Sequence, residues 1–179
     1  MKVLIVVDMQ NDFVTGALGT PEAEAIVPNV VAKIKEYHSI AGSEIVLTRD
    51  THTAKYRETL EGKNLPILHC VRGTPGWRFC DEIEDVWRKE LSFIYTVEKS
   101  SFGTLDWEEY VGPYYNIESI ELVGVCTDIC VISNALILKA MRPEVEIIVD
   151  ASCCAGTTPE NHKAALQVMK SCQINVIGE

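Results

Sequence analysis

The chain predicts an α/β fold: a doubly wound, mostly parallel sheet with helices on both faces. Three observations point there. Short, uninterrupted apolar runs rich in β-branched residues recur, Lys2–Val7 and Ile120–Val125 being the clearest, and such runs suit parallel strands covered on both faces. Stretches with helical periodicity fall between them, and alternating strands and helices imply right-handed crossovers in one parallel sheet. Polar residues also gather directly after the apolar runs. In open α/β sheets, ligands bind beyond the carboxyl ends of the strands.

The elements follow in order. Lys2–Val7 is the first strand, ending in the polar loop Asp8-Met9-Gln10-Asn11-Asp12-Phe13. Pro21 opens a helix to about Ala41, with Ile26, Val30, Ile34 and Tyr37 near the 3.6 period, and Gly42 closes it. Glu44–Thr48 is a second strand, followed by Arg49-Asp50-Thr51-His52. Residues 53–79 lack periodicity, and a loop of that length in a small domain is usually functional. Cys80–Leu91 reads as a helix, with Ile83, Trp87 and Leu91 on one side. Phe93–Val97 is a third strand leading to Glu98-Lys99-Ser100-Ser101. Residues 104–116 are aromatic and acidic and read as a short helix and loop. Ile120–Val125 then runs into a helix from about Cys130 to Met141, with Thr127 and Asp128 as N-cap candidates. Glu146–Val149 is a strand ending at Asp150, Pro159–Ser171 a helix and Ile174–Ile177 a last strand. No repeat, low-complexity segment or linker divides the 179 residues, so a single domain over 1–179 is expected.

Composition narrows the function. A net charge of −10 argues against a nucleic-acid groove and for small-molecule chemistry. No apolar run is long enough to span a bilayer. The first apolar run meets Asp8 after six residues and has no signal-peptide cleavage pattern. Seven cysteines, an odd number with no C-x-x-C, suit reduced thiols in a cytoplasm better than a disulfide framework or a zinc-thiolate site. The vicinal Cys153-Cys154 reads as packing.

Asp8, Asp50, His52, Lys99 and Cys130 all follow predicted strands and should converge on one rim, with Glu61 and His69 folded over it from the long loop. A cysteine in the first turn of a helix is a candidate thiolate nucleophile, and Cys130 occupies such a place. Asp8 is its candidate base, and the charge of Lys99 would hold both in their charged forms. Plainer roles fit each of them singly: an apolar core thiol, a loop cap and a structural ion pair. Asp50, His52, Glu61 and His69 make a mixed nitrogen and oxygen set suited to zinc, manganese or iron(II). Asp50 and His52 as a cap and a surface imidazole, and Glu61 as a solvated acid, are the alternatives. Phe13 and Trp77 sit in rim loops, where an aromatic wall would hold a planar ring or simply pack in the core.

Taken together, four ordered segments resemble the nicotinamidase/pyrazinamidase branch of the isochorismatase-like cysteine hydrolases, over nearly the whole chain. They are Asp8-Met9-Gln10-Asn11-Asp12-Phe13, Asp50-Thr51-His52 with Glu61 and His69 through Trp77, Lys99-Ser100-Ser101-Phe102, and Gly124 through Val131. The resemblance implies an isochorismatase-like, Rossmann-like three-layer fold. It implies a catalytic triad of Asp8, Lys99 and Cys130, and one divalent metal ion per subunit, zinc ahead of manganese or iron, held by Asp50, His52, Glu61 and His69. It further implies a cis Val125–Cys126 peptide, an oxyanion hole from the N–H groups of Cys126 and Cys130, and a ring pocket lined by Phe13. Leu65 departs from the pattern, standing near where some members carry an aromatic. The implied activity is hydrolysis of nicotinamide to nicotinic acid and ammonia through a Cys thioester, a step of NAD salvage. The alternative is a relative acting on another small amide, carbamoyl or vinyl-ether substrate. A cytoplasmic homo-oligomer that binds a small molecule, with no nucleic-acid or membrane partner, is expected.

Overall fold

The structure, a computed structural model, describes residues 1–90, 94–112 and 115–179. One sheet of six strands organises the chain: β1 (Lys2–Val7), β2 (Glu44–Asp50), β3 (Ile94–Lys99), β4 (Ser119–Val125), β5 (Glu146–Ala155) and β6 (Asn175–Ile177). Their spatial order is β3-β2-β1-β4-β5-β6, and every neighbouring pair is parallel. The order reverses between β1 and β4, so the switch point lies where Asp8 leaves β1 and the Cys130 turn leaves β4.

The helices are α1 (Asn11–Val14), α2 (Pro21–Ser39), α3 (Leu60–Asn64), α4 (Asp81–Glu90), α5 (Glu108–Val111), α6 (Ile132–Met141) and α7 (Pro159–Ser171). The pleat of β1 divides the core. Val3, Ile5 and Val7 pack with α6 and α7 residues such as Leu138, Leu166 and Met169. Leu4 and Val6 pack on the other face with Ile26, Val30 and Ile34 of α2 and Ile83 of α4. The start of α2 is written in the sequence: Thr20 caps it by accepting from the Ala23 N–H, Pro21 takes the first turn, and Glu22 and Glu24 meet the helix dipole. Thr158 caps α7 in the same way through the Asn161 N–H.

Several boundaries differ from the sequence reading. β2 continues two residues to Asp50 and β3 two residues to Lys99, so both polar side chains are the last residues of strands rather than loop residues. Phe93, Leu91 and Tyr114 lie outside the described residues. β5 continues past Asp150 to Ala155. A buried acid need not end a strand when a partner meets it, and the Lys33 ammonium stands 3.0 Å from Asp150. The helix predicted from Cys130 is in fact a wide, π-helical turn over Thr127–Val131 followed by α6. Thr127 and Asp128 cap neither. Thr127 Oγ1 lies 2.8 Å from His162 Nδ1, and Asp128 accepts hydrogen bonds from the Thr157 N–H and hydroxyl. Those contacts tie the turn to the start of α7. His162, which sequence position alone puts on the surface, is half-buried against this turn.

Gly124 lets β4 reach β1. Its φ is +114°, and an added Cβ would come within 2.2 Å of the Val7 carbonyl oxygen. Neither the backbone conformation nor the neighbouring main chain can yield cheaply. Gly124→Ala should therefore destabilise the fold by about 2–4 kcal/mol, read as a lower urea midpoint at unchanged slope. A loss under about 0.5 kcal/mol would show that the strands relax apart.

Candidate active site

The strand order β3-β2-β1-β4 sets four polar groups side by side. Lys99 ends β3, and Asp50 pairs with it in register at the end of β2. Asp8 follows β1, and the Cys130 turn follows β4. Asp8 has φ +49°, an uncommon conformation for a residue with a side chain. Thr48 fixes it there. The Thr48 hydroxyl accepts from the Asp8 N–H at 3.1 Å and donates to Asp8 Oδ1 at 2.6 Å.

Lys99 is the hub. Its Nζ lies 2.6 Å from Asp8 Oδ2, 3.6 Å from Asp50 Oδ1 and 3.6 Å from Cys130 Sγ, and it donates to the Ser101 carbonyl at 3.1 Å. Asp8, Lys99 and Cys130 are all buried. Burial is the main influence on Asp8 and pushes its carboxyl up, with the Lys99 ammonium pulling back. Burial works against the charge of Lys99, but Asp8, Cys130 and Asp50 more than reverse it, so the ammonium persists. We read the pair as ionised, with an Asp8 carboxylate more basic than one in water. Burial and the Asp8 charge push the Cys130 thiol well up. The thiolate expected from the helix start is thus not the resting form. Desolvation outweighs the dipole, and the thiol must lose its proton as it reacts.

Beside this trio lies a second cluster. His52 Nε2 is 2.9 Å and His69 Nε2 3.6 Å from Asp50 Oδ2, and Glu61 Oε1 is 3.6 Å from His52 Nε2 and 3.9 Å from His69 Nε2. Asp50, His52 and His69 offer donor atoms that all lie within 4.8 Å of one another. Tetrahedral ligands at zinc–nitrogen and zinc–oxygen distances sit roughly 3.3 Å apart, so the set fits a small divalent cation. Another observation agrees: His52 Nε2 is a buried nitrogen without a hydrogen-bond partner among the described residues. His69 Nδ1 lies 2.8 Å from the Ile67 carbonyl, which turns Nε2 inward. Burial opposes the charge of Asp50, but His52, His69 and Lys99 hold its carboxyl below the usual range. Glu61, the most exposed of the four, approaches the imidazoles from the rim.

Both clusters open onto one cavity of about 320 Å³, lined by Phe13, Asp50, Glu61, His69, Cys126 and Cys130 among others. Phe13 packs on His69 with ring centroids 5.5 Å apart. Leu65 is also on the wall, so that side is aliphatic. The Val125–Cys126 peptide is cis. Trp77 departs from the expected ring wall. It does not line the cavity; its indole N–H donates to Thr51 Oγ1, and the Arg49 guanidinium lies 4.3 Å from its ring centre. A loop aromatic near the rim has found a cation and a hydroxyl outside the site.

Sequence reasoning missed the residues that hold these groups. Gln10 clamps Asp50 from both sides, donating to its carbonyl and accepting from its N–H at 2.9 and 2.7 Å. Asp12 accepts from the Cys70 N–H at 2.7 Å, just after His69. Gly76 packs directly on that carboxylate, where a Cβ would collide. Gln10 and Asp12 both lie in the polar segment after β1. That density of amide and acid in a loop was their signal, whereas Thr48 sits inside an apolar run and gave none.

Residues 2–178 match the Isochorismatase domain. The chain belongs to the isochorismatase family. It is thereby a hydrolase of the isochorismatase type, and the parallel sheet with flanking helices is the family's α/β fold. Among curated proteins, this family member is 26% identical over 194 residues to the nicotinamidase/pyrazinamidase of Mycobacterium tuberculosis, covering 99% of this chain and 98% of that one. Among solved structures it resembles the pyrazinamidase of Pyrococcus horikoshii in complex with zinc, with TM-score 0.81, 28% identity and 99% of each chain covered. The N-carbamoylsarcosine amidase of Thermoplasma acidophilum shares the fold, with TM-score 0.78 and 24% identity over 98% of this chain and 95% of that one. No helix among the described residues is long and apolar enough to cross a membrane.

Proposed function

We propose that this isochorismatase-family chain is a metal-containing nicotinamidase, converting nicotinamide and water to nicotinic acid and ammonia. One observation carries the reading: the Lys99-centred trio and the Asp50–His52–His69 donors share a wall of one small, largely apolar cavity. A flat aromatic amide fits such a space, its carboxamide at Cys130 and its ring beside Phe13. The similarity to nicotinamidases and pyrazinamidases, one of them a zinc complex, supports the same substrate class.

The chemistry follows from the residues. Asp8 takes the proton of the Cys130 thiol, and the sulfur attacks the carboxamide carbon. The carbonyl oxygen takes up the negative charge and is met by the N–H groups of Cys126 and Cys130. The carbon–nitrogen bond breaks as Asp8 returns its proton to the departing nitrogen, giving ammonia and a thioester. Asp8 then deprotonates a water that attacks the thioester. Nicotinic acid leaves, and the Cys130 thiol regains its proton. Lys99 stays protonated throughout, orienting Asp8 and stabilising the thiolate as it forms. Asp50, His52, His69 and Glu61 would hold a divalent cation, which when bound supplies a Lewis acid for the pyridine nitrogen.

Ammonia release from nicotinamide and from pyrazinamide, before and after chelation and zinc return, tests this reading. We expect both amides to be cleaved, with activity lost on chelation and restored by the metal. Activity that survives complete chelation would remove the cation from the mechanism. No ammonia from nicotinamide under any condition would sink the substrate assignment.

A further inference from the structure

We infer that Asn134 is a positioning residue that locks the Cys130 turn to the segment carrying Lys99. This inference rests on the proposed role of Cys130 as nucleophile. Asn134 lies one helical turn after Cys130 in α6 and is completely buried. Its side-chain amide is fully occupied. Nδ2 donates to the Cys130 carbonyl at 2.8 Å and to the Phe102 carbonyl at 3.2 Å. Oδ1 accepts from the Thr104 N–H and from the indole N–H of Trp107, each at 3.1 Å. Two carbonyls and two N–H groups fix which way the amide faces, since the flipped amide would set donor against donor and acceptor against acceptor.

The bonding pattern defines the task. Residues 100–104 follow Lys99 without regular helix or strand structure. They are tied at one end by the Lys99 ammonium on the Ser101 carbonyl. At the other end Asn134 grips both Phe102 and Thr104. The same amide holds the carbonyl of Cys130 itself. One buried side chain therefore spans the two segments whose relative position sets the 3.6 Å between Lys99 Nζ and Cys130 Sγ. Phe102 also lines the cavity, so the same grip shapes the far wall. Asn134 does not line the cavity and acts only through these neighbours. No apolar residue of similar size can make four such bonds.

The test uses the intact chain with zinc supplied. Asn134→Leu keeps the volume and removes all four bonds. Trp107→Phe removes one of them, at a point remote from Cys130. We expect kcat for nicotinamide to fall by about 100-fold in Asn134→Leu and about tenfold in Trp107→Phe, with KM within about threefold of wild type. Alkylation of Cys130 by iodoacetamide, followed by peptide mass spectrometry against the exposed Cys172, should slow by about tenfold in Asn134→Leu, because Lys99 no longer meets the sulfur. A lowered thermal midpoint with kcat per folded molecule unchanged would reduce Asn134 to a structural role and overturn the inference. Should Asn134→Leu fail to fold, an unchanged kcat in Trp107→Phe overturns it equally. A wild-type protein that releases no ammonia defeats the nicotinamidase reading alone. The Cys130 alkylation rate then still decides for or against the positioning role.

Discussion

Cys130→Ala should reduce ammonia release from nicotinamide by at least about 10⁴-fold, the scale on which removing a covalent nucleophile acts. The substitution removes one sulfur atom. Alanine fits the same backbone, and Cys130 Sγ has one close polar neighbour, Lys99 Nζ. The fold should therefore stay within about 1 kcal/mol of wild type. Substrate should still bind, because the proposed ring contacts at Phe13 and the His69 side lie apart from the sulfur. Cys130→Ser makes the contrast sharper. Its hydroxyl has a far higher pKa than a thiol, and Asp8 cannot bring it to a comparable anion, so serine should be nearly as inactive. Measuring ammonia at saturating nicotinamide, with binding followed separately, checks both points. More than about 1% of wild-type turnover in the alanine variant would mean that water attacks the amide directly, leaving Cys130 outside the bond-making step.

The distinction between what the sequence reveals and what it hides has physical roots. The strands were legible because parallel strands buried on both faces leave uninterrupted apolar runs, as in Val3–Val7. The rim residues were legible because a polar side chain just after such a run has few places to go except the carboxyl edge of the sheet. Asp8, Asp50, Lys99 and Cys130 all lie there. The state of the Cys130 thiol was not legible, since it depends on burial and on the charge of Asp8, which chain position does not encode. Trp77 was misread for a similar reason: its neighbours Arg49 and Thr51 come from the end of β2 and are unrelated by local spacing. Asn134 looks like one polar interruption in an apolar helix. Only the assembled fold brings Phe102, Thr104 and Trp107 to it.

Lys99→Met should be the most damaging change to stability as well as to activity. It leaves Asp8, fully buried, facing Thr48 with its closest countercharge gone. Breaking a buried ion pair from one side typically destabilises by about 3–5 kcal/mol. Activity should fall to background, because Asp8 becomes protonated rather than remain an unpaired buried anion and can no longer accept the thiol proton. Asp8→Asn should be milder toward the fold, because Lys99 still has Asp50 Oδ1 at 3.6 Å and the Ser101 carbonyl. The double variant decides the matter. With both charges gone, neither is stranded, and its stability should exceed the sum of the single losses by about 2 kcal/mol or more, while its activity stays at background. Urea unfolding of all four proteins in excess chelator keeps metal binding out of the comparison. Additive losses would mean that Asp8 and Lys99 do not depend on each other energetically. The 2.6 Å contact between them would then be neither what keeps Asp8 charged nor what readies it as a base.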